Sequence, residues 1–316
     1  MKILNNQQCL KFIDLSIKRL INYVKESDLR GITTGISGGI DSAVVAVIGL
    51  KAGLKFKYYF LDCESDPEDY KKARMLAERF KFTLEKIDLS QWYRQSPLLD
   101  FIPKKNLSSN IALGNIKARL RMITLYQMAL LNNFIYLDTG DLSEKWIGFW
   151  TKHGDEGDVK IIQSLTKTEV YDLGEYLGLP EAILNSFPGD GLGVTRNNLA
   201  KEQLGLDYIY IEYIVSRFIG QGFDYNDNLE QLTMTKYVEM IKVVAQEIGK
   251  SEESVNKILE RSLKTAYKRK HGDYAVNLLP DRSEFGFLKI GSDEFNKKYL
   301  KAVKISNHEK NEIIKK

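Results

Sequence analysis

The chain of 316 residues has little of what marks several common protein classes. Cysteine occurs only as Cys9 and Cys63, far apart and without a CxxC spacing. That argues against a disulfide framework and a structural zinc site, and it fits a reducing cytoplasm. The three histidines, His153, His271 and His308, are too few and too scattered for a histidine metal cluster. The longest apolar run, near Ala43 to Leu50, is much too short to span a bilayer. Asn5-Asn6-Gln7-Gln8 stands where a signal peptide needs an apolar stretch. Basic residues form no block: a net charge of +4 is spread along the chain, which suits a small polyanionic ligand and argues against nucleic acid.

What is present reads as a soluble globular enzyme with alternating elements. Ile13, Ile17, Leu20, Ile21 and Val24 recur at helical spacing from Phe12 onward. Strands are expected at 32–36, 56–61, 83–89 and 134–138, with helices at 42–50, from Asp66-Pro67-Glu68 to about Phe80, and at 114–131. Thr166-x-x-Glu169 is a capping box ahead of Val170, Leu173 and Leu177, with Gly178 and Pro180 as the stop. Such alternation predicts an α/β fold, a Rossmann-like parallel sheet flanked by helices, with ligands at the carboxyl ends of the strands. Ser37, Asp62 and Thr139 fall at those ends. Residues 197–267 read as mostly helical; Tyr208 to Val215 carries both strand and helix signals and is assigned to helix. One domain over residues 1–285 is expected, helical from about 195, followed by a partly ordered, solvated tail over 286–316.

The most informative string is Gly35-Ile36-Ser37-Gly38-Gly39-Ile40-Asp41-Ser42, between a buried strand and an amphipathic helix. Adjacent glycines let backbone N–H groups turn inward on an anion, and the following helix aims its N-terminus at the same point. Ser37 and Ser42 add hydroxyls, and Asp41 can reach a divalent cation. The loop lacks the lysine of GxxxxGK[ST], so it is a different phosphate cradle; a bare glycine turn closing a βα unit is the plainer alternative. The full string resembles the SGGxDS loop of the ATP pyrophosphatases, which split ATP between its α- and β-phosphates.

Three further strings carry chemistry. In Gly114-Asn115-Ile116-Lys117-Ala118-Arg119-Leu120-Arg121-Met122, Lys117 and Arg121 share one helix face and Arg119 points elsewhere. The cluster is either a solvated basic face or a guanidinium fork, from Arg119, for a dinucleotide or carboxylate. Asp138-Thr139-Gly140-Asp141-Leu142-Ser143-Glu144 follows a strand. There Thr139 can bond a nucleotide and Glu144 can join Asp41 as a metal ligand, or Asp141 or Ser143 can simply cap a helix. Thr151-Lys152-His153-Gly154-Asp155-Glu156-Gly157-Asp158 is either a flexible turn or a site loop offering Lys152 to an anion, with Asp155 and Asp158 for ribose hydroxyls or proton removal.

Taken in this order, with LTKTEVYDL after the last, the strings resemble the ammonia-dependent NAD synthetases over roughly residues 10–270. The resemblance implies conversion of deamido-NAD, ATP and ammonia into NAD, AMP and pyrophosphate through an adenylated carboxylate. It implies ATP contacts from Gly35, Ile36, Ser37, Gly38, Gly39, Ile40, Asp41, Ser42, Thr139, Lys167 and Gly189, and magnesium on Asp41 and Glu144. Deamido-NAD would meet Arg119, Lys152, Asp158, Tyr267 and Lys268, with Asp155 and Lys167 as the catalytic pair. Family members are commonly homodimers. Tyr267-Lys268-Arg269 stands for the family's His-Lys-Arg, and Pro188-Gly189-Asp190-Gly191 for its Pro-(Ser/Thr)-Ala. Nothing resembling a glutaminase precedes the first helix, so nitrogen is expected as free ammonia or from a separate donor protein. An ATP pyrophosphatase adenylating a different carboxylate, or a nucleotide-binding regulator without turnover, are the competing readings.

Overall fold

In the computed structural model the described residues are 2–103, 106–189, 191–195, 197, 199–270 and 275–314. The first half alternates α1 (Asn6–Glu26), β1 (Gly31–Gly35), α2 (Ile40–Lys51), β2 (Lys55–Asp62), α3 (Pro67–Phe80), β3 (Leu84–Asp88), α4 (Ser90–Arg94), α5 (Leu107–Asn132) and β4 (Phe134–Asp138). Then follow α6 (Leu142–Ile147), β5 (Val159–Lys160), α7 (Lys167–Leu177), α8 (Glu181–Leu184), α9 (Ala200–Leu204), α10 (Tyr208–Ile219), α11 (Thr235–Ile248), α12 (Glu252–Lys264), β6 (Val276–Asn277) and α13 (Asp293–Ile314).

Two helices begin earlier than their apolar periodicity indicates, because a polar cap rather than the buried stripe sets a helix start. Asn5 and Gln8 form a capping box that opens α1 at Asn6. Asn106 accepts the Ser109 N–H and opens α5 at Leu107, seven residues ahead of Gly114.

The strands form one parallel sheet in the order β3-β2-β1-β4-β5-β6. Gly31 of β1 pairs with Lys55 on one side and Phe134 on the other, and a Cβ there would lie 2.1 Å from the Lys55 carbonyl oxygen. The chain runs outward from β1 through β2 and β3, then crosses back to β4. The switch leaves a crevice at the carboxyl ends of β1 and β4. One core packs α1, α2 and α7 on the sheet through Phe12, Val44, Ile48 and Leu173; a smaller one joins α5 to the other face through Leu125, Ala129 and Tyr136.

A third core gathers α10 to α13 around Ile211, Ile214, Phe218 and Leu259. Neighbours bury α10 on nearly every side, so its sequence shows no clean helical stripe. The expectation of a solvated tail is corrected by α13. Phe295, Tyr299 and Val303 are fully buried, spaced four apart so that they form one stripe against this core. Among the described residues no helix is long and apolar enough to cross a membrane.

Candidate active site

The β1–α2 turn is built for close backbone approach. Gly38 has φ +86°, and a Cβ there would lie 2.4 Å from the Asp69 carbonyl oxygen. Gly39 is the N-cap of α2 and contributes no side-chain cap, which leaves the first N–H groups of the helix for a ligand. The loop is braced from within: Ser42 Oγ accepts the Ser37 N–H at 3.1 Å and lies 3.0 Å from Ser37 Oγ, which in turn accepts the Gly39 N–H at 3.2 Å.

Next to it the strand-end loop after β4 brings two more acids. Asp141 caps α6 by accepting the Glu144 N–H at 2.8 Å, and the Glu144 carboxylate reaches back to the Asp141 N–H at 3.3 Å. The capping alternative and the ligand reading are therefore compatible, because the same box aims both carboxylates toward Asp41. Oxygens of Asp41, Asp141 and Glu144 lie within 4.8 Å of one another.

Lys167, the first residue of α7, puts its Nζ 2.6 Å from Asp41, 2.9 Å from Asp141 and 2.9 Å from Glu144, and is almost wholly buried. Burial works against its charge, yet the three carboxylates outweigh it and hold its pKa well above the ordinary lysine value. Burial, opposed by Lys167, pushes Asp141 up to about 6 and Glu144 well above the usual carboxylate range. Three acids against one ammonium leave an excess of negative charge. Asp41 Oδ1 is buried without a hydrogen-bond partner, and Asp141 Oδ2 faces Lys167 outside hydrogen-bonding geometry. Hard oxygen donors, converging and under-satisfied, fit a divalent cation such as magnesium.

A cavity of about 600 Å³ opens over the β1–β4 crevice, large enough for a nucleotide-sized ligand. Most residues of the glycine loop line it, with Asp41, Thr139, Glu144 and Gly189. Arg119, Lys152, Asp155, Tyr267 and Lys268 line it as well. Three expected residues are not in its wall: Gly38, which lies against the Asp69 backbone, Lys167 and Asp158. Lys167 lies behind the carboxylates, and Asp158 accepts the Tyr136 N–H at 2.9 Å beside β4. Asp190 and His271 fall outside the described residues.

The basic helix divides as its spacing indicated. Lys117 is buried over the Tyr93 ring and 3.3 Å from Glu64, while Arg121 donates to the carbonyls of Leu61 and Gly191 and to Ser65 Oγ. Arg119 is exposed, with one donor on the Lys152 carbonyl at 3.2 Å. A solvated face is thus the wrong description of Lys117 and Arg121, whose charges brace α5 against the strand ends. Lys268 donates to the Gly148 carbonyl at 2.8 Å and sits over the Trp150 ring. Burial, aided by nearby Arg261, lowers it to about 8.

Sequence reasoning missed three contributors. Asp141 was legible only as a cap, and Arg261 in the cavity wall looked like any charged position on an amphipathic helix. Glu212 is fully buried in α10, bonded by Ser143 Oγ at 2.8 Å, the Thr168 N–H at 3.0 Å and the Thr168 hydroxyl. Burial pushes it up to about 8. Its signal was an acid inside the apolar run Tyr208 to Val215.

The NAD synthase family model matches residues 12–272. The NH(3)-dependent NAD(+) synthetase of Syntrophomonas wolfei is 38% identical over 189 residues, 58% of this chain and 75% of the relative. That of Staphylothermus marinus is 35% identical over 263 residues, 80% and 86% of the two chains. The solved NMN synthetase of Francisella tularensis superposes with a TM-score of 0.64 at 25% identity, covering 84% of this chain and 97% of that one. The matched region contains the glycine loop, the carboxylate cluster and the cationic wall, and the chain belongs to the NAD synthase family.

Proposed function

We propose that this chain makes NAD from deamido-NAD, ATP and ammonia, releasing AMP and pyrophosphate. The observation that carries the reading is one cavity lined both by an anion cradle with Asp41 and Glu144 of the acidic cluster and by Arg119, Lys152 and Lys268. The two groups match the two substrates: ATP with its metal, and a dinucleotide acid.

Magnesium, when bound, would sit on Asp41 and Glu144, with Asp141 beside them, and would screen the polyphosphate charge. The N–H groups of the first turn of α2, Ile40 to Ser42, hold the phosphates, and Thr139 and Gly189 border the rest of the ATP. Lys167 fixes the three carboxylates, and its expected contact with ATP requires the ammonium to reach past them. Arg119, Lys152, Tyr267 and Lys268 hold deamido-NAD so that a nicotinate carboxylate oxygen faces the α-phosphorus. A P–O bond forms as pyrophosphate departs; then the ammonia nitrogen attacks the acyl carbon and AMP departs with the C–O electron pair. Asp155, exposed on the cavity wall, attracts ammonium and accepts its proton. Positioning and electrostatic stabilisation supply most of the rate.

The homodimer belongs to the same proposal: Ile123, Leu130 and Leu131 leave an apolar row exposed on α5, which a second copy would cover. Two buried free thiols, Cys9 and Cys63, suit a reducing cytoplasm. The likeness to an NMN synthetase, with Tyr267 in place of histidine, favours one second reading, in which the acid is the smaller nicotinate mononucleotide. The test is AMP and amide formation with ATP, magnesium and ammonium, supplying either acid or neither. Equal AMP and NAD with deamido-NAD alone support the first reading. Turnover only with the mononucleotide supports the second, and AMP without any acid sinks both.

A further inference from the structure

The chain beyond residue 272 lies outside the region that the family model matches, yet it touches the start of α7, whose first residue is Lys167, at two points. α7 starts at Lys167, so the turn Ser164-Leu165-Thr166 determines where Lys167 stands. Thr166 is the N-cap; its Oγ1 accepts the Glu169 N–H at 3.3 Å and lies 2.6 Å from the Tyr299 hydroxyl of α13. Arg282 donates to both Glu169 carboxylate oxygens, at 2.8 and 2.6 Å, and to the Ser164 carbonyl at 2.6 Å. Thr166, Glu169 and Tyr299 are all buried. Phe295 stacks on Tyr299 with ring centroids 4.1 Å apart, and the Arg282 guanidinium lies over the Phe287 and Phe295 rings.

A helix start is where backbone groups lack partners and fraying begins, so groups that pin the cap fix the first side chain of the helix. Here that side chain is Lys167, and a displacement of about 1 Å at a reacting centre is enough to cost about 100-fold in rate. We propose that the carboxy-terminal segment is a positioning element of the site: Tyr299 and Arg282 clamp the first turn of α7 and so keep Lys167 between Asp41, Asp141 and Glu144. The inference rests on reading that cluster as the phosphate site of the proposed reaction.

The test compares Tyr299→Phe with Tyr210→Phe in the full chain. Tyr210 is an equally buried phenol whose hydroxyl donates to Asn307 Oδ1 of the same helix at 2.7 Å, at a contact outside the cavity wall. Both variants lose one hydroxyl from an α13 contact. Only Tyr299→Phe is expected to lower kcat, by about fivefold, the equivalent of one hydrogen bond, with KM for deamido-NAD unchanged. It should also speed amide hydrogen exchange at residues 167–170. Arg282→Lys keeps the charge but loses the fork, and should act in the same direction. If kcat and exchange in Tyr299→Phe match Tyr210→Phe, the segment is ordinary packing and the proposal fails. If the wild-type protein turns over no deamido-NAD, the proposed reaction fails, and the exchange comparison alone decides the positioning role.

Discussion

Replacing Lys167 by methionine separates the carboxylate cluster from its counter-ion with little change of volume. At an effective dielectric constant of about 20, each ammonium–carboxylate contact contributes about 6 kcal/mol of attraction, given separations of 2.6 to 2.9 Å. Each pair of carboxylates within 4.8 Å repels by at least about 3.5 kcal/mol on the same scale. Without the ammonium, three such repulsions stand unopposed. Protonating one carboxyl at pH 7 costs about 4 kcal/mol, three pKa units at 1.36 each, and removes two of the three. The variant should therefore take up a proton, and its net loss should fall near the roughly 3–5 kcal/mol typical of a buried ion pair broken at one partner. Thermal unfolding in a chelator should show a midpoint on the order of 10 °C lower. The pH dependence has a definite sign. An acid whose folded pKa is raised binds its proton more tightly when folded, so stability falls as pH rises from the unfolded value toward the folded one. For Asp141 in the wild type that window runs from 3.8 to about 6; in Lys167→Met it should move upward, and the deficit should shrink in acid. Magnesium should restore the variant more than the wild type, by about 2.7 kcal/mol at one hundred times its Kd. A variant as stable as wild type in chelator, or one indifferent to magnesium, would refute the account of this cluster.

Gly38→Ala would force a Cβ into the Asp69 carbonyl at positive φ, and should raise KM for ATP at least tenfold while costing about 1–3 kcal/mol of stability; unchanged ATP kinetics would deny the cradle its role. Lys268, lowered to about 8, is a cation below that pH and neutral above it, so KM for deamido-NAD should climb as pH rises through 8. That climb should vanish in Lys268→Met. Leu130→Asp places a charge on the exposed face of α5 and should shift the protein from dimer to monomer in light scattering; a wild-type monomer would contradict the dimer proposal.

Local signals were strong where one short segment carried the physics. Asp66 and Pro67 do start α3, the Thr166–Glu169 box does open α7, and Gly178 at φ +74° ends it. The strand-turn-helix reading of Gly35 to Ser42 places Asp41 in the first turn of α2, as expected for a residue facing the cradle. The tail was harder: Phe295, Tyr299 and Val303 lie one turn apart, but a charged carboxy-terminus gives no sign of the α10 surface that buries them. Asp158 is expected at deamido-NAD from the resemblance alone, and the pairing of its loop with β4 decides where the side chain goes.

By itself the sequence determined the element alternation, the anion cradle and the inventory of charged groups, because helix caps, glycine freedom and apolar period act over a few residues. Only the tertiary structure decided which charges meet. Lys167 lies 126 positions from Asp41 and Tyr299 lies 133 from Thr166, and no local rule spans such distances. The crossing from β3 back to β4 brings the first pair together, and burial of the α13 stripe brings the second, so the net charge and the rigidity of the site are properties of the packed chain.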